Sequence, residues 1–571
     1  MSADDTAAAS QGDATARGRL SRRGFLGAGA AAGAAVTFGG PGVAAAVAQP
    51  ASGGADGPAE ELALVNGRIH TMDAENTVAR AVSIRNGRFV AVGNAAPNRD
   101  PGVRVINLRG HTVVSGIIDN HNHIVLMGNR PGFHTPLENA QSIADVQEIL
   151  AARAASIPAG AWITTIGGFH QNHFFPPDQD PRLPTLAELD DAVPDNPVYI
   201  SQAFSGPSTT NTLGKAFFEA QGIPVGDDGS IAGGFGESPT GRATFALRQT
   251  LLDFEQRKRG VVDAMAYGLS LGVTTHLDQG AFQTTNSPAD GAAHEDNFTM
   301  HLPFLAVHED GDLDARLRIN FLHMESDPQT PELVERLKNA FQFFGGDMVR
   351  TGAIGEFIAQ GTDPEGTFGQ AARRVAEARW RAEVHSLSAT DFQNEIIAFE
   401  NAHAEFPITD LRWVIAHVPF ITEPWVERFK ALGGGLSLTG WRYLAGTPAS
   451  NGPPFRMIVD NGINAGMSSD GMQIAPMNPW LHMFYATTGR NAREVLINDG
   501  QQISRQEVLY TAQNGWFLRE ENDLGTIEPG KHADLVVLNR DYFTVADEDL
   551  KRINSILTVV GGRVVHDAGV L

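Results

Sequence analysis

Eight short apolar segments, each ending in polar residues, constrain the fold of this chain more than any other feature. Helix-like stretches such as Pro331–Phe344, Gln370–Arg381 and Glu423–Leu432 separate most of them. Strands that alternate with helices predict βα units and parallel strand pairing. Eight such units would close an α/β (β/α)8 TIM barrel whose chemistry lies at the carboxyl ends of the strands. The predicted strands are Val113–Asp119, Val273–Asp278, Leu317–His323, Ala353–Phe357, Ala382–His385, Trp413–His417, Gly435–Thr439 and Asn464–Asp470.

Strand-like segments at both ends of this region predict a second, smaller domain. Near the start, Leu62–Val65 and Arg68–Met72 flank an Asn-Gly turn, and near the end Ala533–Leu538 and Ile556–Val560 follow the same pattern. We therefore predict a small β-sandwich domain built from residues 61–112 and 525–571, and a barrel at 113–524. The stretch from about residue 128 to 258 is too long for one crossover. It predicts an insertion after the first barrel strand, over the mouth of the active site.

The N-terminal residues resemble an export signal rather than part of the fold. Ser21–Leu26 carries a pair of arginines, a Gly/Ala-rich apolar stretch follows, and Ala46–Ala48 has the small-x-small pattern of a cleavage site. This order predicts a twin-arginine signal at 1–48, a linker at 49–60, and a periplasmic or extracellular protein. The apolar stretch is too rich in glycine and alanine to predict a permanent membrane span.

Charge and cysteine content exclude several classes of function. The formal net charge of -23 disfavours nucleic acids and anionic membranes as partners, because both require a basic surface. The chain has no cysteine, which excludes disulfides, thiolate metal sites and a cysteine nucleophile. A metal site must therefore use imidazole and carboxylate ligands. We expect a small-molecule substrate, and the sequence leaves a homo-oligomer open.

Four histidines and one aspartate form the strongest chemical pattern. His121 and His123 are two positions apart, so an extended strand places both side chains on one face. His385, His417 and Asp470 each end a later predicted strand, which brings all five to the same rim. We predict that these residues bind a catalytic metal.

This set of residues suits hydrolysis by an activated water molecule. Neutral imidazoles leave a bound divalent metal acidic enough to activate water near neutral pH. Asp470 is suited to accept the proton of that water and to deliver it to the leaving group. His417 is either a ligand or, at a site with a single metal, a group that stabilises the oxyanion.

The pattern resembles the amidohydrolase superfamily, and more narrowly the amidohydrolase family 3 branch, which includes enzymes similar to N-substituted formamide deformylase. The resemblance covers nearly the whole chain after the predicted signal, and the segment Gly525–Leu535 is especially typical of it. It implies that HxH on strand one, histidines on strands five and six, and aspartate on strand eight are metal ligands. The implied reaction is hydrolysis of a carbon–nitrogen bond in an amide or N-acyl group.

The chain departs from this family at the fourth strand. Gly355 stands where many relatives have a lysine that is carboxylated to bridge two metals. We therefore expect one divalent metal, zinc, with manganese or iron as alternatives. Glu356 is an alternative ligand if the register shifts by one residue, but strand alternation favours the opposite face and a structural role. Glu383 is a further candidate that shares a face with His385 and lies deeper.

Two acidic positions that are common in this branch are also absent. Ser386–Ala389 stands where a Gly-Asp pair is usual, and Ala416 where a glutamate is usual. Carboxylates of this kind orient histidines that bind a metal. Their absence motivates a rival hypothesis, a secreted binding protein that is catalytically impaired. Asp278 is a partial replacement or, as we prefer, a cap of the loop after its strand.

Further residues of the predicted rim are candidates for the substrate pocket. His170 and His173 lie in the insertion, where substrate contact and a surface position on a lid are equally favoured. Trp441, Arg442 and Tyr443 follow strand seven and could bind an aryl or anionic group, or simply pack beneath the lid.

Two other reactions would use the same apparatus. A deaminase of this superfamily needs an acidic residue beside the substrate ring, and residues 386–390 provide none, which places deamination second. Hydrolysis of a lactone or ester remains an alternative.

Overall fold

The computed structural model describes residues 61–94, 102–175, 179–203, 205–234, 236–281, 299–472 and 474–571. The predicted twin-arginine signal and linker lie outside these residues. Within these ranges, no helix combines the length and the apolar character that crossing a lipid bilayer requires.

Eight parallel strands make up two four-stranded sheets. Their edges approach each other on both sides: Ile354 forms a parallel bridge with Ala382, and the backbone amide of Asp470 donates to the carbonyl oxygen of His121 over 2.9 Å. Parallel pairing directs all eight carboxyl ends the same way. In sheet order, the strands are Val349–Ile354, Arg316–Phe321, Val273–Asp278 and Ile117–Asn122 in one sheet, and Glu383–Ser386, Val414–His417, Gly435–Thr439 and Asn464–Ser468 in the other.

The first predicted strand is in fact two strands in different sheets. Thr112–Ser115 belongs to the sheet formed by the chain ends, whereas Ile117–Asn122 belongs to the parallel set. Gly116 separates them, and a Cβ atom at this position would lie 2.1 Å from the hydroxyl oxygen of Thr274. Only glycine allows this close approach to the neighbouring strand.

Two further sheets contain strands from the chain ends, and the six-stranded one combines strands of both ends. Leu535–Leu538 pairs antiparallel with Thr112–Ser115, with Val536 opposite Val114. Side chains from both sheets, such as Leu64 and Leu557, belong to one apolar cluster. In sheet order, the six-stranded sheet contains Arg563–Asp567, Ser555–Val560, Leu535–Leu538, Thr112–Ser115, Arg68–His70 and Val78–Ala79, and the four-stranded sheet contains Arg88–Gly93, Ala81–Arg85, Leu62–Val65 and Arg104–Asn107.

The segment after the first parallel strand has a sheet of its own. Asn172 Nδ2 in this segment donates to the carbonyl oxygen of Leu444 over 2.8 Å, so the segment contacts the short helix after the seventh parallel strand. Its strands, in sheet order, are Ser230–Ile231, Ser208–Thr210, Val198–Ser201, Ile163–Ile166 and Phe133–His134, and its α-helices are Ile143–Ala155, Leu186–Ala192, Thr212–Ala220 and Pro239–Leu251.

The remaining helices mostly connect the parallel strands and have local signals at their ends. Ser388 and Asp391 form a capping box at the start of Ala389–Glu405, and Gly272 ends Phe254–Leu271 in the left-handed conformation. The other α-helices are Ile124–Gly128, Leu302–Glu309, Pro331–Asn339, Thr367–Glu377, Glu423–Ala431, Arg442–Ala445, Phe455–Asn461, Pro479–Thr488 and Arg505–Ala512, and the 3-10 helices are Gln171–Phe174, Gly515–Leu518 and Asp547–Arg552.

Candidate metal centre

The two histidines of the HxH motif are buried and held in one orientation. His121 Nδ1 lies 2.8 Å from Glu383 Oε1, and His123 Nδ1 lies 2.7 Å from the carbonyl oxygen of Gly280. A carboxylate and a carbonyl oxygen can only accept, so each Nδ1 carries the hydrogen. In the neutral form of each ring, Nε2 then carries the lone pair that a metal ligand requires.

Asp470 lies beside these two imidazoles. Its Oδ1 is 3.2 Å from His123 Nε2 and 3.8 Å from His121 Nε2. Asp119 helps to place it, because the Asp119 carboxylate accepts hydrogen bonds from the backbone amides of Ser469, over 2.9 Å, and of His121, over 3.4 Å. The ends of the first and last parallel strands are thereby fixed to each other.

Glu356 lies among the four histidines, contrary to the structural role preferred from the sequence. Its Oε1 contacts His385 Nδ1 and is 3.0 Å from His417 Nε2, and its Oε2 is 3.4 Å from His123 Nε2. The strand ends at Ile354, so the alternation of side chains within a strand does not govern residue 356. Glu356 therefore faces the histidines rather than the opposite side of the strand, and its role as a metal ligand stays a prediction.

His385 and His417 form the other side of the cluster. His417 Nε2 is 3.0 Å from His385 Nδ1, and His417 Nδ1 is 2.8 Å from the hydroxyl oxygen of Thr439. The ring of Phe357 stacks on His385 with 5.0 Å between the ring centres. The His385 side chain is 21% exposed, whereas those of the other three histidines are buried, so His385 marks the accessible edge of the cluster.

The charges of this cluster favour ionised carboxylates. Burial acts to raise the pKa of Glu356, but the imidazoles of His385, His123 and His417 outweigh it and hold that pKa well below its usual value. Burial likewise acts to raise the pKa of Asp470, yet His417 and His123 leave it lowered. Both carboxylates are therefore negatively charged near neutral pH and available to a cation.

The geometry and the donor atoms fit a divalent cation. Two overlapping groups bring their donor atoms within 4.8 Å of one another: His121 with His123 and Asp470, and His121 with Glu356 and His417. Within the described residues, His121 Nε2 and Glu356 Oε2 have no hydrogen-bond partner although both are buried. Imidazole and carboxylate groups are the ligand types that a zinc-like ion prefers.

Two of the candidate pocket residues, Asp278 and His173, contact protein groups. Asp278 accepts from the backbone amides of Val125 and Gly280 and lies 2.6 Å from His301 Nε2, so it caps the loop as preferred from the sequence. His173 is buried against Tyr443, with 5.4 Å between the ring centres, and is not a surface residue.

The other pocket candidates, His170 and Arg442, each have a local hydrogen-bond partner. His170 Nδ1 accepts from the backbone amide of Asn172, and burial lowers the His170 pKa to about 4. The guanidinium of Arg442 lies 4.1 Å from the centre of the Trp441 ring and donates to Ser450.

Sequence reasoning assigned no role to Asp119 or Thr439 and left Glu383 open. Asp119 accepts from the backbone amide of His121 within one strand, whereas Thr439 and Glu383 bond to imidazoles on other strands. Asp119 is part of the Asp-Asn-His-Asn-His motif, and this proximity was the one local signal for it. For Thr439 and Glu383 the partners are distant in sequence, so periodicity carried no signal for these pairs.

A family profile matches most of the chain. The profile of the Amidohydrolase family matches residues 104–566. The chain therefore belongs to the amidohydrolase family, which confirms the resemblance identified from the motifs.

Two curated relatives match parts of the chain. N-substituted formamide deformylase from Arthrobacter pascens is 32% identical over 147 residues, which cover 25% of this chain and 26% of that protein. Protein LONG AFTER FAR-RED 3 from Arabidopsis thaliana is 26% identical over 235 residues, 39% of each chain. The matched segments thus span about a quarter and about two fifths of these relatives.

Solved structures share the fold over most of the chain. An uncharacterised metal-dependent hydrolase from Pyrococcus furiosus aligns with a TM-score of 0.55 at 18% identity, covering 85% of this chain and 100% of the other. Atrazine chlorohydrolase from Arthrobacter aurescens TC1, complexed with zinc, aligns with a TM-score of 0.52 at 15% identity, covering 89% and 95%. At these identities, the likeness is one of fold.

Proposed function

We propose that this protein is a metal-dependent hydrolase that cleaves the carbon–nitrogen bond of an amide or N-acyl group. The observation that carries the proposal is the meeting of His121, His123, His417, Glu356 and Asp470 at the carboxyl ends of parallel strands, with their donor atoms facing one another. Membership of the amidohydrolase family supports the same reaction class.

The architecture that we infer is a (β/α)8 barrel with a β-sandwich at the chain ends. Two four-stranded parallel sheets with contacts between both pairs of edges support the barrel. The apolar cluster shared by the two sheets of the chain ends supports the sandwich. In such a barrel the active site lies at the carboxyl ends of the strands, where the histidines are found.

The cation ligands in this proposal are the four histidines, with Asp470 and Glu356. When bound there, a divalent ion such as zinc supplies Lewis acidity for water activation and carbonyl polarisation. The two oxygens of Glu356 face different imidazoles, Oε1 towards His385 and His417 and Oε2 towards His123. The reason for expecting one ion was the missing lysine at position 355, and Glu356 now offers a carboxylate that could serve two.

Asp470 is the residue that we assign to proton transfer. Its carboxylate is ionised and lies beside the HxH imidazoles, so it can accept a proton from the attacking water. The same carboxyl group can then protonate the leaving nitrogen, which completes the cleavage without an additional acid.

Metal analysis and a substrate screen test this function. Purified protein should contain a stoichiometric divalent metal, and the metal-loaded protein should hydrolyse at least one compound in a panel of N-acyl and N-formyl amines. The same panel should include lactones and amino-substituted purines and pyrimidines, which test the rival reactions. Protein that binds no zinc, manganese or iron would exclude the hydrolase and favour the binding protein.

We also propose that the chain is exported by the twin-arginine route. The support is the paired arginines within Ser21–Leu26, the apolar stretch after them and the small residues at 46–48. This route carries folded proteins, which suits a site that is loaded with metal before export.

A further inference from the structure

We infer that Glu383 is a positioning residue that orients His121 for metal binding. The inference rests on the proposed metal centre. In this inference, Glu383 sets the orientation and the tautomer of the His121 ring and does not contact the substrate.

The contact between Glu383 and His121 determines which imidazole nitrogen is available. Glu383 Oε1 lies 2.8 Å from His121 Nδ1, and both side chains are fully buried. The hydrogen of the neutral ring therefore resides on Nδ1, and the lone pair on Nε2 points towards Glu356 and Asp470, at 3.7 and 3.8 Å. A carboxylate behind a ligand histidine fixes its tautomer and raises its basicity.

The other oxygen of Glu383 is held by a buried cation. Arg381 Nη2 donates to Glu383 Oε2 over 2.9 Å, and Arg381 Nε donates to the carbonyl oxygen of Arg412 over 3.2 Å. Both members of the Arg381–Glu383 pair have 0% exposed side chains. Well-packed apolar residues often stabilise a fold as much as a buried ion pair does. A role in orienting His121 explains why a charged pair occupies this position.

Packing at the fourth strand is coupled to the position of Glu383. A Cβ atom at Gly355 would lie 2.7 Å from the backbone oxygen and 2.9 Å from the Cβ of Glu383. A lysine at position 355 would therefore displace the strand that carries Glu383. Glycine at this position and glutamate at position 383 are thus two parts of one arrangement, which leaves Glu356 as the acidic residue just after the fourth strand.

Metal affinity of full-length variants tests the inference. We would measure the dissociation constant for Zn²⁺ by competition with a chromophoric chelator, and the visible spectrum of the Co²⁺-loaded protein. In Glu383→Gln, the side-chain amide has only one accepting oxygen, so it cannot accept from both Arg381 and His121 as the two carboxylate oxygens do. We expect the affinity for Zn²⁺ to fall by about 10–100-fold and the Co²⁺ bands to shift because a ligand is reoriented.

Two further variants separate positioning from general stability. Glu383→Asp keeps the negative charge, but its side chain is one methylene shorter and the carboxylate lies farther from His121. Its affinity for Zn²⁺ should therefore lie between those of the wild type and Glu383→Gln. It provides the same test if Glu383→Gln does not fold. Glu520→Gln is a matched control, because Glu520 is a buried partner of Arg318 and Arg350. This control should bind Zn²⁺ like the wild type and give the same Co²⁺ spectrum.

The outcomes distinguish this inference from the proposed function. Wild-type affinity and an unchanged Co²⁺ spectrum in Glu383→Gln, or in Glu383→Asp if only that variant folds, would overturn the role of Glu383 and leave the metal centre intact. An equal loss of affinity in Glu520→Gln would overturn it too, by showing that any broken buried ion pair has this effect. Wild-type protein that binds neither metal would overturn the metal centre itself, and the inference with it.

Discussion

The backbone amide of Asp470 donates a hydrogen bond to the carbonyl oxygen of His121, with 2.9 Å between the two atoms. These residues are far apart in sequence. Asp470 lies just beyond the last parallel strand, and His121 lies within the first. This backbone bond, together with the Asp119 carboxylate that accepts from the amides of Ser469 and His121, brings the carboxylate of Asp470 beside the HxH imidazoles. Residues that affect this junction, such as Asp119, should therefore affect the whole centre.

Replacing Asp470 by asparagine should remove turnover and leave the metal bound. The histidines and Glu356 remain as ligands, whereas the amide cannot accept and return a proton. Loss of a general acid–base residue costs about 10²–10⁴-fold in rate, and kcat with the metal content of the same sample measures both effects. Asp541→Asn is the control, since the Asp541 carboxylate binds Arg68 at the terminal sheets. Retained turnover in Asp470→Asn would refute the proton role.

Replacing Glu356 by glutamine should weaken metal binding strongly. The neutral amide removes a negative charge that lies among His385, His417 and His123. We expect a loss of affinity larger than the roughly 10–100-fold typical of residues behind the ligands, together with fewer ions per chain if the wild type binds two. Isothermal titration with Zn²⁺ measures both quantities.

The control for Glu356 is another buried glutamate. Glu395 has 0% exposure and lies in the helix Ala389–Glu405 rather than among the histidines. Glu395→Gln should bind Zn²⁺ like the wild type. Equal affinities of Glu356→Gln and wild type would show that Glu356 is not a ligand.

Replacing Gly355 by alanine should destabilise the protein. The added Cβ would lie 2.7 Å from a backbone oxygen of Glu383, which cannot move away as the end of a flexible side chain would. Overpacking of this kind costs about 1–3 kcal/mol, and chemical denaturation would measure it. At Gly346 a Cβ has no neighbour within 4 Å, so Gly346→Ala should leave the free energy of unfolding nearly unchanged. A stable, unperturbed Gly355→Ala would mean that this packing is looser than described.

The buried carboxyl group of Glu138 should make stability depend on pH. Burial raises its pKa from 4.5 to about 8, although Tyr267 and the backbone amide of Met477 donate to it. Between these two pH values the unfolded chain ionises Glu138 while the folded protein keeps the proton. The free energy of unfolding contributed by this group therefore falls as the pH rises from 4.5 to 8, by a few kcal/mol (order of magnitude), and then levels off.

Glutamine at position 138 tests this dependence because it stays neutral. The gain in melting temperature of Glu138→Gln over wild type should be smallest near pH 4.5, grow with rising pH and level off above pH 8. Glu237 is exposed, so Glu237→Gln should follow the wild-type curve throughout. A constant difference between Glu138→Gln and wild type at all pH values would contradict the raised pKa.

Replacing Arg22 and Arg23 by lysine should retain the precursor in the cytoplasm. The twin-arginine export machinery recognises the arginine pair. Lysine keeps the positive charge but lacks the guanidinium groups of that pair. Cell fractionation followed by immunoblotting would measure the distribution of precursor and mature protein. Unchanged export of the double variant would point to another route.

Strand ends were the part of the site that could be predicted from sequence. Apolar segments that end in histidine or aspartate predicted His121, His385, His417 and Asp470 correctly as neighbours, because parallel strands bring their carboxyl ends together. Strand boundaries were less predictable. The chain changes sheets at Gly116, and the fourth strand ends two residues before Glu356. Such boundaries depend on contacts with neighbouring strands, and the hydrophobic periodicity of the sequence gives no information about those contacts.

The sequence by itself determined the family and the alternation of strands and helices, and it predicted the five residues first assigned to the metal. Only the tertiary structure decided that Glu356 lies among the histidines and that Glu383 lies behind His121. The physical reason is the range of the interactions. Hydrophobic periodicity acts within one strand or helix, whereas the bond between Glu383 and His121 joins residues 262 positions apart. That bond exists only because the folded sheets bring the two side chains to 2.8 Å.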